Sequence, residues 1–152
     1  MLEVVHFLHI GAATVFVGSV VFFDWVVGGA LIRATPEDRH KIAHAIRPFS
    51  GPVIMGSLAI TLLAAGITRL FLSGAIQSAG DLLTGYGLRA TIALIIVVGS
   101  EAFAAPLRKR MRAAIDTQDS SAFYCALRNH RALNTSVLVI VLLLMTSMRL
   151  GL

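Results

Sequence analysis

From Val4 to Val27 every residue is apolar or small except His6, His9, Thr14, Ser19 and Asp24, and the apolar character continues to Ile32. A run of this length crosses a bilayer as one helix of roughly 20 residues. It also exceeds the 7 to 15 apolar residues of a cleaved signal and has no basic stretch before it, so it is expected to be a retained span. Inside hydrocarbon an ionisable side chain is costly unless it faces protein, water or a bound ion. His9 and Asp24 are therefore the first functional candidates, with His6 one turn from His9 on the same helix face.

Three further apolar segments of near-spanning length follow: Pro52 to Leu72, Tyr86 to Ala105 and Leu133 to Met148. With 57% hydrophobic and only 14% charged residues, the chain lies far from the soluble balance of about a quarter charged. The sequence predicts an all-α fold: one four-span domain over residues 1–152, an antiparallel four-helix bundle whose helices extend into the cytoplasm. Between spans in lipid, close packing of small residues replaces the hydrophobic drive, and Gly11, Gly18, Gly51, Gly56, Gly66 and Gly99, inside or at the edge of spans, are read in that role.

The net charge of +5 is a statement about topology. Residues 33–47 hold Arg33, Arg39, Lys41 and Arg47, and residues 106–131 hold Arg108, Lys109, Arg110, Arg112, Arg128 and Arg131, whereas residues 73–85 hold no Lys or Arg. This asymmetry predicts cytoplasmic basic segments and both termini outside. The lipid bilayer is the partner that this charge implies, and no nucleic acid is expected. The single cysteine, Cys125, excludes an internal disulfide.

Thr35-Pro36-Glu37-Asp38 has the order of a helix start: a hydroxyl cap, proline at the first position, then acidic residues. It predicts a short helix before the second span. Asp119-Ser120-Ser121 predicts a similar start for a helix running into the fourth span. Pro106 is expected to kink the third span at its exit, with the helix continuing to about Ile115.

Depth pairs several of these residues. His6 and His9 share the outer half of the membrane with Met145 and Met148, two His and two Met each at i, i+3. Imidazole and thioether together suit copper(I), or they serve as axial ligands to haem iron. Arg69 and Arg89, at the same outer end, are placed to pair with haem propionates or with Glu3. The competing expectations are a histidine satisfied by a backbone carbonyl and methionines that merely pack. Towards the inner side, Asp24 and Glu101 fall at comparable depth. As a buried carboxylate pair they would suit a proton relay; the alternative is a salt bridge to Arg33, Arg47, Arg108 or Arg131. His40 and His44 have i, i+4 spacing but lack the acidic residue of a zinc-protease arrangement, and are read as an amphipathic surface helix. His130 sits at the base of the fourth span.

The order of features resembles a group of small bacterial four-span proteins that includes the copper-resistance protein D (CopD) domain and HemJ-like protoporphyrinogen oxidases. The matching pieces are Leu8-His9-Ile10 with Phe16-Val17-Gly18, Arg47-Pro48-Phe49 with Gly51-Pro52 and Ala64-Ala65-Gly66, Tyr86-Gly87-Leu88-Arg89, and Leu107-Arg108-Lys109-Arg110. The resemblance implies a bacterial inner-membrane scaffold for b-type haem or copper, with His9 at the position of a haem-binding histidine. Two positions depart from it: Arg89 stands where HemJ-like chains have lysine, and Glu101 where many relatives have a deeper histidine. The expected function is thus haem binding near the outer face with redox chemistry. The alternatives are copper handling through His6, His9, Met145 and Met148, or a non-catalytic accessory subunit of a larger membrane complex. A homo-oligomer is a further expectation.

Overall fold

The computed structural model describes residues 1–48 and 52–150, and among these the chain is all-α. Four helices are long and apolar enough to cross a membrane: Leu2–Arg33, Ile54–Leu72, Gly85–Asp116 and Ser120–Met148. The protein is a multi-pass helical membrane protein.

The first span is not a uniform α-helix. It consists of α1 (Leu2–Val21), a π-helical segment (Phe22–Val27) and α2 (Gly28–Arg33), stacked end to end. Ala34 turns the chain through an extended conformation into α3 (Pro36–Ile46). As the sequence predicts, the Thr35 side chain accepts from the Asp38 backbone N–H at 3.2 Å, with Pro36 at the first helical position.

Helix α4 (Pro52–Leu72) returns across the membrane, and α5 (Gly85–Asp116) and α6 (Ser120–Leu150) form the second pair of spans. Phe49, Ser50 and Gly51, which carry part of the expected motif before α4, lie outside the described residues, as does the side chain of Arg149. At 1.5 Å per residue, the 32 residues of α5 reach about 48 Å, well beyond a hydrocarbon core of about 30 Å. The expected extension past Pro106 is therefore present and ends at Asp116. The Ala122 backbone N–H donates to the Asp119 carboxylate at 3.0 Å and starts α6.

The residues after α4, which hold no Lys or Arg, are ordered around Asp81. Asp81 accepts from the backbone of Gln77 and Ser78, at 2.9 and 2.7 Å, and caps a 3₁₀ turn (Ala79–Leu83). This turn lies so close to α5 that a Cβ on Gly87 would overlap the Asp81 carbonyl group. The glycine of Tyr86-Gly87-Leu88-Arg89 is thus required by backbone approach.

α1 packs on α4 and α5 on α6, giving two hairpins that meet at the basic end, where α3 lies against α2 and α5 and the π segment lies against α6. The apolar core sits at this end, with Leu31, Ala114, Phe123 and Leu127 at its centre. That location is physically reasonable: the helices leave the lipid here, and water restores the hydrophobic drive that lipid lacks. Along the spans, buried contacts are made by small residues such as Ala12, Ala93 and Ala104, while Phe7, Ile95 and Leu143 face outward.

Arg39 closes the basic end. It is 2% exposed, donates through Nε to the Leu31 carbonyl at 2.9 Å and through Nη1 to Ser120 at 3.0 Å, and stacks 4.9 Å from the centre of the Phe123 ring. One guanidinium thereby ties α2 and α3 to the start of α6.

Candidate functional site

Two intramembrane sites emerge, one towards each end of the first span. At the end opposite the basic segments, His9 turns towards α4. Its Nδ1 lies 3.2 Å from the Leu62 carbonyl, and a Cβ at Gly66 would stand 3.0 Å from His9 Cε1. The glycine leaves the notch that the imidazole fills. A carbonyl only accepts, so Nδ1 carries the proton of the neutral ring and Nε2 keeps its lone pair. His6, one turn earlier, has a buried Nδ1 with no hydrogen-bond partner among the described residues.

The other expected members of this site are more dispersed. Arg69 follows Gly66 by one turn of α4, and Arg89 lies in the first turns of α5; both are half-buried, and among the described residues neither forms an ion pair with Glu3. Met145 and Met148 belong to the other hairpin, on α6, with Met145 exposed and Met148 half-buried. Among the described residues no hydrogen bond joins them to the histidines of α1, and no three His, Cys, Asp or Glu side chains gather into a metal-binding group.

The second site corrects the expected pairing of Asp24 with Glu101. Asp24 is buried, whereas the Glu101 side chain is 61% exposed and pairs with Arg108 at 2.6 Å. The salt-bridge alternative therefore holds for Glu101, and the two carboxylates do not form a buried pair. Asp24 turns instead to α6: His130 Nδ1 lies 3.0 Å from its Oδ1, and Asn134 donates to its Oδ2 at 2.7 Å. His130 and Asn134 are one turn apart, so one stripe of α6 holds both carboxylate oxygens.

The π segment explains how Asp24 is presented. Widening the turn leaves its backbone carbonyl able to accept from a side chain, and Arg131 Nε donates to it at 2.6 Å. Asp24 accepts at Nδ1–H, which leaves Nε2 as the other nitrogen of the His130 ring; it is buried and has no partner among the described residues. A base backed by a carboxylate is equipped to hold or pass a proton.

Sequence reasoning marked Asp24 but not these partners. The sequence places His130 only at the base of its span; its i, i+4 spacing from Asn134 on α6 is the available signal. His40, expected on a surface helix, is exposed and lies 3.9 Å from exposed Asp116.

Fold and sites together define a multi-pass helical membrane protein with a histidine notch at one end and a buried acid–histidine pair at the other. No family model matches the chain, and no curated protein or solved structure matches it significantly.

Proposed function

We propose that the chain is a bacterial inner-membrane protein that binds b-type haem near its periplasmic face through His9 and takes part in redox chemistry. One observation carries this reading: His9 Nδ1 is held on the Leu62 carbonyl, which orients Nε2 as a ligand nitrogen. Histidines that bind metals almost always anchor their other ring nitrogen in this way. The donor set fits a haem, since half-buried His6 offers a second imidazole whose buried Nδ1 has no partner among the described residues, and Arg69 and Arg89 supply cations for propionates.

The bound haem would supply a one-electron couple within the bilayer. The chain's part is to fix the imidazole through Leu62 and Gly66 and to hold charge at the membrane edge. Ten of the 13 basic residues lie at the opposite end, which supports an orientation with that end in the cytoplasm. Copper handling draws less support, because Met145 and Met148 lie on the other hairpin.

The test is an absorption spectrum of detergent-purified protein produced with haem supplied, oxidised and dithionite-reduced. A Soret band with reduced α and β peaks is expected, strongly diminished in His9→Ala and retained in His44→Ala. Protein without a Soret band, or a band indifferent to His9→Ala, removes this reading.

A further inference from the structure

Where the first span meets α6 at the basic end, a groove of about 460 Å³ opens on the protein surface. Trp25 and Ile32 form one wall; Tyr124, Arg128, Arg131 and Thr135 of α6 form the other. The α6 residues recur at spacings of four, three and four, so they make one helical stripe leading from the basic segment into the span. The lining changes along that stripe from cationic to small and apolar or hydroxylic.

The charge in the groove is unbalanced. No carboxylate lines it. Arg131 spends Nε on the neutral Asp24 main-chain carbonyl, and its guanidinium lies 5.1 Å from the centre of the Trp25 ring. Its Nη2 is buried without a hydrogen-bond partner among the described residues. The nearby carboxylate of Asp24 is already bonded to His130 and Asn134. Arg128 is exposed and has no ion pair among the described residues. Trp25 and Tyr124 are both exposed, 55% and 41%, in the manner of aromatic residues at a membrane–water boundary.

We propose that this groove holds the headgroup of an anionic phospholipid of the bilayer. Its phosphodiester would lie against Arg128 and Arg131, and an acyl chain would follow Ala132 and Ser136 into the hydrocarbon. The exposed guanidinium of Arg128 is free to meet a phosphate with paired donors, Arg131 adds its charge beside it, and basic pockets between spans are suited to anionic headgroups. A zwitterionic lipid would bring its own cation into a site that already holds two. The proposal does not depend on haem binding.

Native mass spectrometry of the full chain, delipidated in detergent and titrated with phosphatidylglycerol or chain-matched phosphatidylcholine, tests it. Wild type should retain phosphatidylglycerol preferentially, and Arg128→Gln should reduce that preference about fivefold. Lys109→Gln/Arg112→Gln, which removes two charges lining no part of the groove, should leave it unchanged. Arg131→Gln is expected to act like Arg128→Gln, but only the latter is free of a bond to Asp24, so it decides the outcome. Equal retention of both lipids, insensitivity to Arg128→Gln, or an equal loss in the Lys109/Arg112 variant would overturn the proposal. Millimolar glycerophosphate should not displace the lipid; displacement would reassign the groove to a soluble phosphate.

Discussion

Asp24 shows what an ionisable residue in a span requires. Its two carboxylate oxygens are satisfied by His130 and Asn134, and its backbone carbonyl by Arg131. Removing the carboxylate leaves a buried imidazole N–H and amide without an acceptor, whereas removing Glu101 frees only a half-exposed arginine. Asp24→Ala should therefore cost about 3 kcal/mol or more, and Glu101→Ala less than about 1 kcal/mol. Thermal unfolding in detergent, followed by Trp25 fluorescence, checks the order; equal losses would remove the distinction between the sites. His9 and Asp24 were legible in the sequence because polar residues stand out in an apolar run. That His130 and Asn134 hold the Asp24 carboxylate was not, because the π segment changes the helical period between Phe22 and Val27 and with it the face that Asp24 presents. Arg39 was hidden for a different reason. A basic residue in a basic loop reads as solvated, and what buries it is Phe123, Tyr124 and Ser120, some 80 residues later in the chain.

The elements at the basic end depend on that arginine. Arg39 reaches Leu31, Ala34 and Ser120 with separate nitrogens of one planar group while stacking on Phe123. A lysine has one ammonium and no plane to stack, so Arg39→Lys should loosen α3 from α2 and α6 at a cost of about 2 kcal/mol. Hydrogen exchange rising in Pro36–Ile46 and at the start of α6, but not in α4, is the expected signature. Helix starts were the most legible elements: Thr35 and Asp119 cap as their sequences predict, since a cap is decided within four residues. The 3₁₀ turn at Ala79–Leu83 was not foreseen, because it rests on Asp81 reaching back to two backbone amides and on Gly87 admitting the turn. Those amides hold the Asp81 carboxyl below its ordinary range, and the Ala122 amide and Ser121 hydroxyl do the same for Asp119. A depressed folded value means that the stabilisation is complete above the ordinary aspartate value of about pH 3.9 and is lost as pH falls through the folded value. Amide exchange corrected for pH should therefore rise in the Gln77–Leu83 turn on acidification below that point. The rise should be absent in Asp81→Asn, which has no carboxyl to titrate.

At the scale of the whole molecule, charge and packing point the same way. The apolar core, the buried Arg39 and most of the cations are gathered at one end, and the spans beyond it bury alanines such as Ala12 and Ala93 and leave large side chains such as Phe7 and Ile95 outward. The number of spans was legible because length and hydropathy suffice for it. The pairing of α1 with α4 and of α5 with α6 agrees with the expected antiparallel arrangement, while the way the two hairpins join was not legible, since it rests on contacts between residues about a hundred positions apart. Orientation remains a matter of electrostatics: basic segments resist translocation, so the end bearing residues 33–47 and 106–131 should face the cytoplasm. Cys125 lies near the start of α6 at that end and is exposed, and Ser78 lies in the turn at the other end. A membrane-impermeant maleimide should thus label Cys125 in inverted but not right-side-out vesicles, and Ser78→Cys in a Cys125→Ser background should show the opposite. The reverse pattern would turn the whole chain over and place the His9 notch on the cytoplasmic face, and with it any electron partner that the haem reading requires.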